Sequence, residues 1–163
     1  MRRLCGWVLL ALIFVIPAWA ANPLPMAMPD FQIARPDGTT VSTTQIPQSG
    51  KWFLIYTKPN CVSCDRFLRI FSKAENPLLP SHIAIVVSGA TPDKIAEIAG
   101  KFPDLADATW YADPSEDGTA PLQIKGMPVI FGLNGSTVAW SIMGVPSGDA
   151  VRLKAILKSW ITP

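Results

Sequence analysis

The chain has 163 residues, 49% of them hydrophobic, with 16 prolines and a formal charge of +2 from 14 basic and 12 acidic residues. That length suits one domain with a substantial core and is too short for two of ordinary size. No basic run occurs beyond residue 20, so charge gives no reason to expect a nucleic-acid partner.

Residues 1–20 read as a targeting segment. Arg2 and Arg3 form a basic head, Leu4 to Ile16 is almost wholly apolar, and Ala18-Trp19-Ala20 offers a small-x-small cleavage site before Ala21. The pattern predicts a cleaved secretory signal and a periplasmic domain. Retention as an anchor facing the periplasm, and with it membrane contact, is the alternative, since Leu4 to Ala20 could span a thin bilayer. The arginine pair abuts Met1 without the polar context of a twin-arginine signal. Cleavage would remove two basic residues and Cys5, leaving a formally neutral chain with two of the three cysteines.

Residues 21–29 hold three prolines in nine positions, which predicts an extended linker without a regular ladder. The domain, 30–163, is expected to begin near Asp30. Phe31 to Ala34 alternates, Pro36-Asp37-Gly38 signals a turn, and Thr39 to Thr44 is rich in β-branched residues, so a small hairpin is expected. Lys51 to Thr57 reads as a strand buried on both faces. From Val62, Phe67, Leu68, Ile70 and Phe71 keep helical spacing with Arg66, Arg69 and Lys73 turned outward, until Asn76-Pro77 ends the helix. His82 to Val87 is a second apolar strand. Thr91 and Pro92 can start a helix with an inner stripe of Ile95, Ala96, Ile98, Ala99 and Phe102, ending near Gly100 or Lys101. Helices between strands imply parallel pairing. Thr109 to Tyr111 is a short strand, 113–118 a loop, and Ala120 to Ile124 one helical turn. Val129–Leu133 and Thr137–Ile142 flank Asn134-Gly135, a hairpin signal. Ser147 or Asp149 can cap a final helix whose apolar residues are Val151, Leu153, Ile156, Leu157 and Trp160.

The chemistry concentrates at Cys61-Val62-Ser63-Cys64, directly after the strand 51–57 and the turn Lys58-Pro59-Asn60. A strand-to-helix turn there sets Cys61 at a helix N-terminus, where unpaired N–H groups and the helix dipole favour a thiolate. Cys64, three residues on, can close a disulfide or resolve a mixed one. Zinc uses the same spacing but needs four ligands, against two thiols and one histidine here. A purely structural disulfide is the other reading, although so small a loop removes little unfolded-state entropy. Redox exchange is favoured over both.

These residues, together with Lys125-Gly126-Met127-Pro128-Val129-Ile130-Phe131 ahead of Asn134-Gly135 and the opening hairpin at Pro36-Asp37-Gly38, resemble the thioredoxin-like superfamily. They more closely resemble its exported TlpA/ResA-like branch. The resemblance spans residues 30–160. It implies an α/β fold of three layers, with a central mixed β-sheet flanked by helices and an N-terminal β-hairpin extension. It implies a thiol:disulfide oxidoreductase in which Cys61 attacks, Cys64 resolves, and Met127 beside a cis Pro128 binds an incoming peptide as an added strand partner. It further implies protein thiol or disulfide substrates such as cytochrome c apoproteins, a membrane or soluble redox partner, and no bound cofactor. A monomer is expected, since no segment is left over for a dimerisation domain. The reducing direction is favoured because Val62-Ser63 contains no histidine or basic residue. A disulfide-forming oxidase, or a redox-inert module of a cell-envelope assembly, are the alternatives.

The sequence departs from the family in two places. Asn60 stands where members often carry tryptophan, and no carboxylate occurs in Lys51 to Asn60 to relay a proton. Asp65 follows Cys64 on the helix and is expected in solvent, as are Lys58 and, at a strand edge, His82.

Overall fold

The computed structural model describes residues 24–46, 49–72, 80–144 and 150–162. The signal segment expected at residues 1–20, Lys73, the expected Asn76-Pro77 stop and the expected Ser147/Asp149 cap lie outside these residues. Among the described residues the chain forms β1 (Met26–Ala27), β2 (Gln32–Ala34), β3 (Thr40–Ser42), β4 (Lys51–Thr57), α1 (Val62–Ser72), β5 (Ile83–Ser88), α2 (Pro92–Ala99), β6 (Thr109–Asp113), β7 (Val129–Asn134), β8 (Thr137–Met143) and α3 (Ala150–Ile161). No helix among them is long and apolar enough to cross a membrane.

The strands make one mixed sheet in the order β1-β8-β7-β4-β5-β6-β2-β3. β4, β5 and β6 are parallel, and β7 runs antiparallel to β4. Strand β4 is central because both its faces are apolar. Phe53 and Ile55 join one core with Ile83, Ile85 and Val87 of β5, while Trp52, Leu54 and Tyr56 join the other with Ala84 and Val86. Period-2 alternation thus feeds two cores from one strand.

The first core is closed by the helices: Phe67, Leu68 and Phe71 of α1, Ile95 of α2, and Leu153 and Leu157 of α3. The second is closed by Met28, Phe31, Ile33, Val41 and Ile46 from the N-terminal segment, with Leu122 from the loop before β7. The sheet therefore carries all three helices on one face, while its other face is closed by side chains of the N-terminal segment and of the loop before β7. Arg66 and Arg69 face outward as the helical spacing requires, and the Arg69 guanidinium lies 5.5 Å from the centre of the Phe102 ring.

Several local expectations shift. Met26 and Ala27 do form a ladder, pairing with Val138 and Thr137, because the flanking prolines 25 and 29 leave both of their N–H groups available. Thr91 occupies the N-cap of α2 with Pro92 after it, but its side chain makes no capping hydrogen bond. His82 sits in a short 3-10 turn, Pro80–His82, and β5 starts one residue later. β6 extends to Asp113 because Ala112 and Asp113 still find partners in Val87 and Ser88. The β7–β8 turn is centred on Gly135-Ser136, between the paired Asn134 and Thr137, and further along the ladder β8 carries one extra residue, Ala139, opposite Gly132 and Leu133. A side chain at Gly132 would overlap the Trp140 ring, so the close approach of that indole accounts for the glycine.

Candidate redox site

Strand β4 ends at Thr57 and hands the chain to Lys58-Pro59-Asn60, all exposed. Asn60 takes a left-handed conformation at φ 56°, a region asparagine tolerates better than most residues. That reversal delivers Cys61 to the head of α1, where the Asp65 N–H donates to the Cys61 carbonyl at 3.0 Å. Cys61 and Cys64 are joined as a disulfide, with 5.1 Å between their Cα atoms. The helix is anchored to the first core by Phe67, Leu68 and Phe71, all buried in the turns that follow the cysteine pair.

The two sulfurs differ in access. Cys61 is 8% exposed and borders an open hollow with Lys58, Val62, Ser63 and Arg66, whereas Cys64 is 1% exposed. A second hollow of about 370 Å³, between α1 and α2, is lined by Cys64 together with Thr57, Leu68, Ala90 and Ile98.

Two donors converge on the Cys61 sulfur. The Cys64 N–H lies 3.2 Å from Sγ, and the Ser63 hydroxyl also lies at 3.2 Å. A disulfide sulfur carries no proton, so the hydroxyl is the donor in that pair. The sequence offered no sign of this, because spacing alone does not say where the Ser63 hydroxyl points.

Met127 and Pro128 stand just ahead of β7. The register that pairs Val129 with Tyr56 brings them alongside the segment leading from β4 to Cys61. The Met127–Pro128 peptide bond is cis, Met127 is half-buried against the second core, and the Gly144 N–H donates to the Pro128 carbonyl at 2.7 Å. Across the ladder, Met143 at the end of β8, the partner of Val129, leaves 55% of its surface exposed and packs its sulfur over Gly126. His82 lies elsewhere: it precedes β5, which is parallel to β4, and so sits at the opposite end of the strands from the cysteines. Its Nδ1 is 3.2 Å from the Ser81 hydroxyl oxygen. Asp65 is exposed, as expected.

A buried carboxylate does occur, on β6. Asp113 accepts from the Asp117 N–H at 2.9 Å, from the Gly118 N–H at 3.1 Å and from the Tyr56 hydroxyl at 3.4 Å. Burial raises its pKa above the ordinary value, against the pull of the Gly118 and Asp117 N–H groups. Burial, then the neighbouring Asp113 charge, pushes the Tyr56 phenol up as well. Asp113 organises the loop that leads toward Met127. An Asp-Pro-Ser-Glu-Asp-Gly run, with an aspartate able to bond the backbone that follows it, is the signal that could have revealed this role.

No protein-family model and no curated protein matches the sequence. Solved structures do match the fold. One is a protein assigned as the thiol:disulfide interchange protein DsbE of Chlorobium tepidum, at TM-score 0.65 and 18% identity over 85% of this chain and 97% of that one. Another is a secreted Mycobacterium tuberculosis disulfide oxidoreductase homologous to E. coli DsbE, at TM-score 0.62 and 13% identity over 79% and 95% of the two chains. The exposed lipoprotein thioredoxin Etrx1 of Streptococcus pneumoniae aligns at TM-score 0.57 and 19% identity, covering 80% of this chain and 99% of that one. The fold is thioredoxin-like. In this thioredoxin-like domain β4 and α1 are the elements that carry the cysteine pair, and the N-terminal hairpin extends the sheet beyond β6.

Proposed function

We propose that the protein is an exported thiol:disulfide oxidoreductase that exchanges disulfides with protein substrates, in the reducing direction, as in the TlpA/ResA-like branch. The observation that carries this reading is the Cys61–Cys64 disulfide at the head of α1, with Cys61 the more exposed of the two and bordering an open hollow beside Lys58 and Arg66, and Cys64 almost fully buried at the wall of the hollow between α1 and α2. A structural cross-link would have no need of such an asymmetry.

In the reduced pair, the Cys61 thiolate attacks one sulfur of a substrate disulfide. An S–S bond forms between Cys61 and the substrate, and the substrate's other sulfur leaves as a thiolate and takes up a proton. Cys64, deprotonated, then attacks the Cys61 sulfur, the mixed disulfide breaks, and the second substrate sulfur leaves. The substrate gains two electrons and two protons, and the pair returns to the disulfide. The Cys64 N–H stabilises negative charge on Cys61 before attack. Met127 and Pro128 form one wall of the peptide groove, with Met127 offering backbone partners to the extended substrate. A redox partner protein re-reduces the pair, and no bound cofactor takes part. Location in the periplasm fits the targeting segment, and two of the similar structures are of proteins described as secreted or as an exposed lipoprotein.

The test is reduction of insulin by wild type and Cys61→Ser. Activity confined to wild type supports the reading, and equal rates sink it. Cys64→Ser should accumulate mixed disulfides with clients, which mass spectrometry would name. The equilibrium potential against glutathione settles direction: a value near thioredoxin's, about −270 mV, supports a reductant, while one near −120 mV reverses the assignment to an oxidase.

A further inference from the structure

Between the two cysteines stand Val62, which is 79% exposed, and Ser63, whose hydroxyl turns back onto the Cys61 sulfur. We propose that the Ser63 hydroxyl is the side-chain donor that stabilises the Cys61 thiolate, and that it thereby sets how oxidising the Cys61–Cys64 pair is. The inference rests on the oxidoreductase reading for its consequence, though not for its test.

The geometry separates Ser63 from the other groups near the sulfur. Its Oγ is 3.2 Å from Sγ, within hydrogen-bonding range for sulfur, and no proton on the disulfide competes for the donor role. The Cys64 N–H, at the same distance, is a backbone donor that any residue at position 64 would supply. Lys58 and Arg66 line the same hollow and act through space, without a hydrogen bond to the sulfur among the described contacts. On reduction the acceptor becomes an anion, and a hydrogen bond to a charged acceptor is about twice as strong as a neutral one. Ser63 is itself exposed, so water can take the place of its hydroxyl in part and limits the net effect.

The sign follows from the two redox states. The hydroxyl interacts more strongly with the thiolate of the reduced pair than with the disulfide, so it favours the reduced pair and makes the protein a better electron acceptor. Removing it should therefore weaken the oxidant and strengthen the reductant. In this respect Ser63 works against the direction favoured by the absence of histidine or basic residues at positions 62 and 63.

Ser63→Ala and Ser63→Thr test this, with the full chain. For Ser63→Ala the midpoint of the pH dependence of Cys61 alkylation by iodoacetamide should rise by about one unit. Its exchange equilibrium with glutathione should move about tenfold toward the disulfide, a potential lower by about 30 mV. Ser63→Thr, which keeps the hydroxyl, should stay near wild type. The Ser63→Ala shift should persist in 0.5 M salt, where the influence of Lys58 and Arg66 is screened. An unchanged alkylation midpoint in Ser63→Ala, a Ser63→Thr midpoint equal to that of Ser63→Ala, or a shift abolished by salt would each overturn the role. A wild type that exchanges with no disulfide would overturn the oxidoreductase reading alone, because the alkylation midpoints are measured without any substrate.

Discussion

Replacing Asp113 by asparagine removes one acceptor from a site that uses two. Oδ1 takes the Asp117 N–H and Oδ2 takes the Gly118 N–H and the Tyr56 hydroxyl, so an amide in either orientation points its NH2 at a backbone N–H. Tyr56 can rotate its hydroxyl to adapt, but the backbone donors cannot. One donor left unsatisfied in a buried setting costs about 1–3 kcal/mol, which for a domain of this size lowers Tm by about 3–9 °C. Urea denaturation followed by circular dichroism measures it, with a lower midpoint and an unchanged slope as the expected result. A variant within about 0.5 kcal/mol of wild type would refute the claim that both oxygens are needed. Acid adds a second check. Since burial holds the Asp113 carboxyl above its ordinary 3.8, the folded protein binds more protons at this site than the unfolded chain does between the two values. The contribution of Asp113 to stability therefore increases as pH falls from neutral through the folded value, and levels off below the unfolded one. Wild type should gain on Asp113→Asn over that descent, and a constant gap from pH 7 to pH 4 would contradict the desolvation.

Two other substitutions probe the scaffold under the cysteines. Gly132→Ala would drive a Cβ into the Trp140 ring, which is itself pinned edge-on between Phe53 and Trp160 at 6.1 and 5.6 Å. Overpacking there should cost about 1–3 kcal/mol in a denaturation experiment, with quenched or shifted tryptophan fluorescence. Phe67→Ala empties a fully buried position under α1, beside Phe71 at 5.1 Å, and should cost about 3–5 kcal/mol. Hydrogen exchange should then show α1 opening before β4, and equal protection of both would argue against α1 being anchored by this residue.

The central sheet was legible because burial on both faces leaves a continuous apolar run, and Lys51 to Thr57 and Ile83 to Val87 can hardly be anything else. The two-residue strand Met26–Ala27 was not, since two residues carry no period and its pairing is decided by the exposed edge of β8. The β7–β8 turn lies one residue past the Asn134-Gly135 dipeptide, and the ladder's extra residue is Ala139 on β8, opposite Gly132 and Leu133 and next to the Trp140 ring that leaves no room for a side chain at Gly132, a contact eight positions away in sequence and invisible to a turn dipeptide. At the site, the CxxC spacing was enough to anticipate that Cys61 and Cys64 can close a disulfide, since two thiols one helical turn apart lie within reach of each other. It could not carry their environment. The residue types at 62 and 63 argued against any special stabilisation of the Cys61 thiolate beyond that of the helix N-terminus, because neither is histidine or basic. Yet a hydrogen bond needs only a donor aimed at the sulfur, and the first turn of α1 aims Ser63 there. The same holds for Asp113, sought as an acid within Lys51 to Asn60 and found two strands away, binding a loop and making no hydrogen bond to either cysteine among the described contacts. Charge type is written in the residue, but its effect on a reacting atom depends on direction, which only the folded turn supplies.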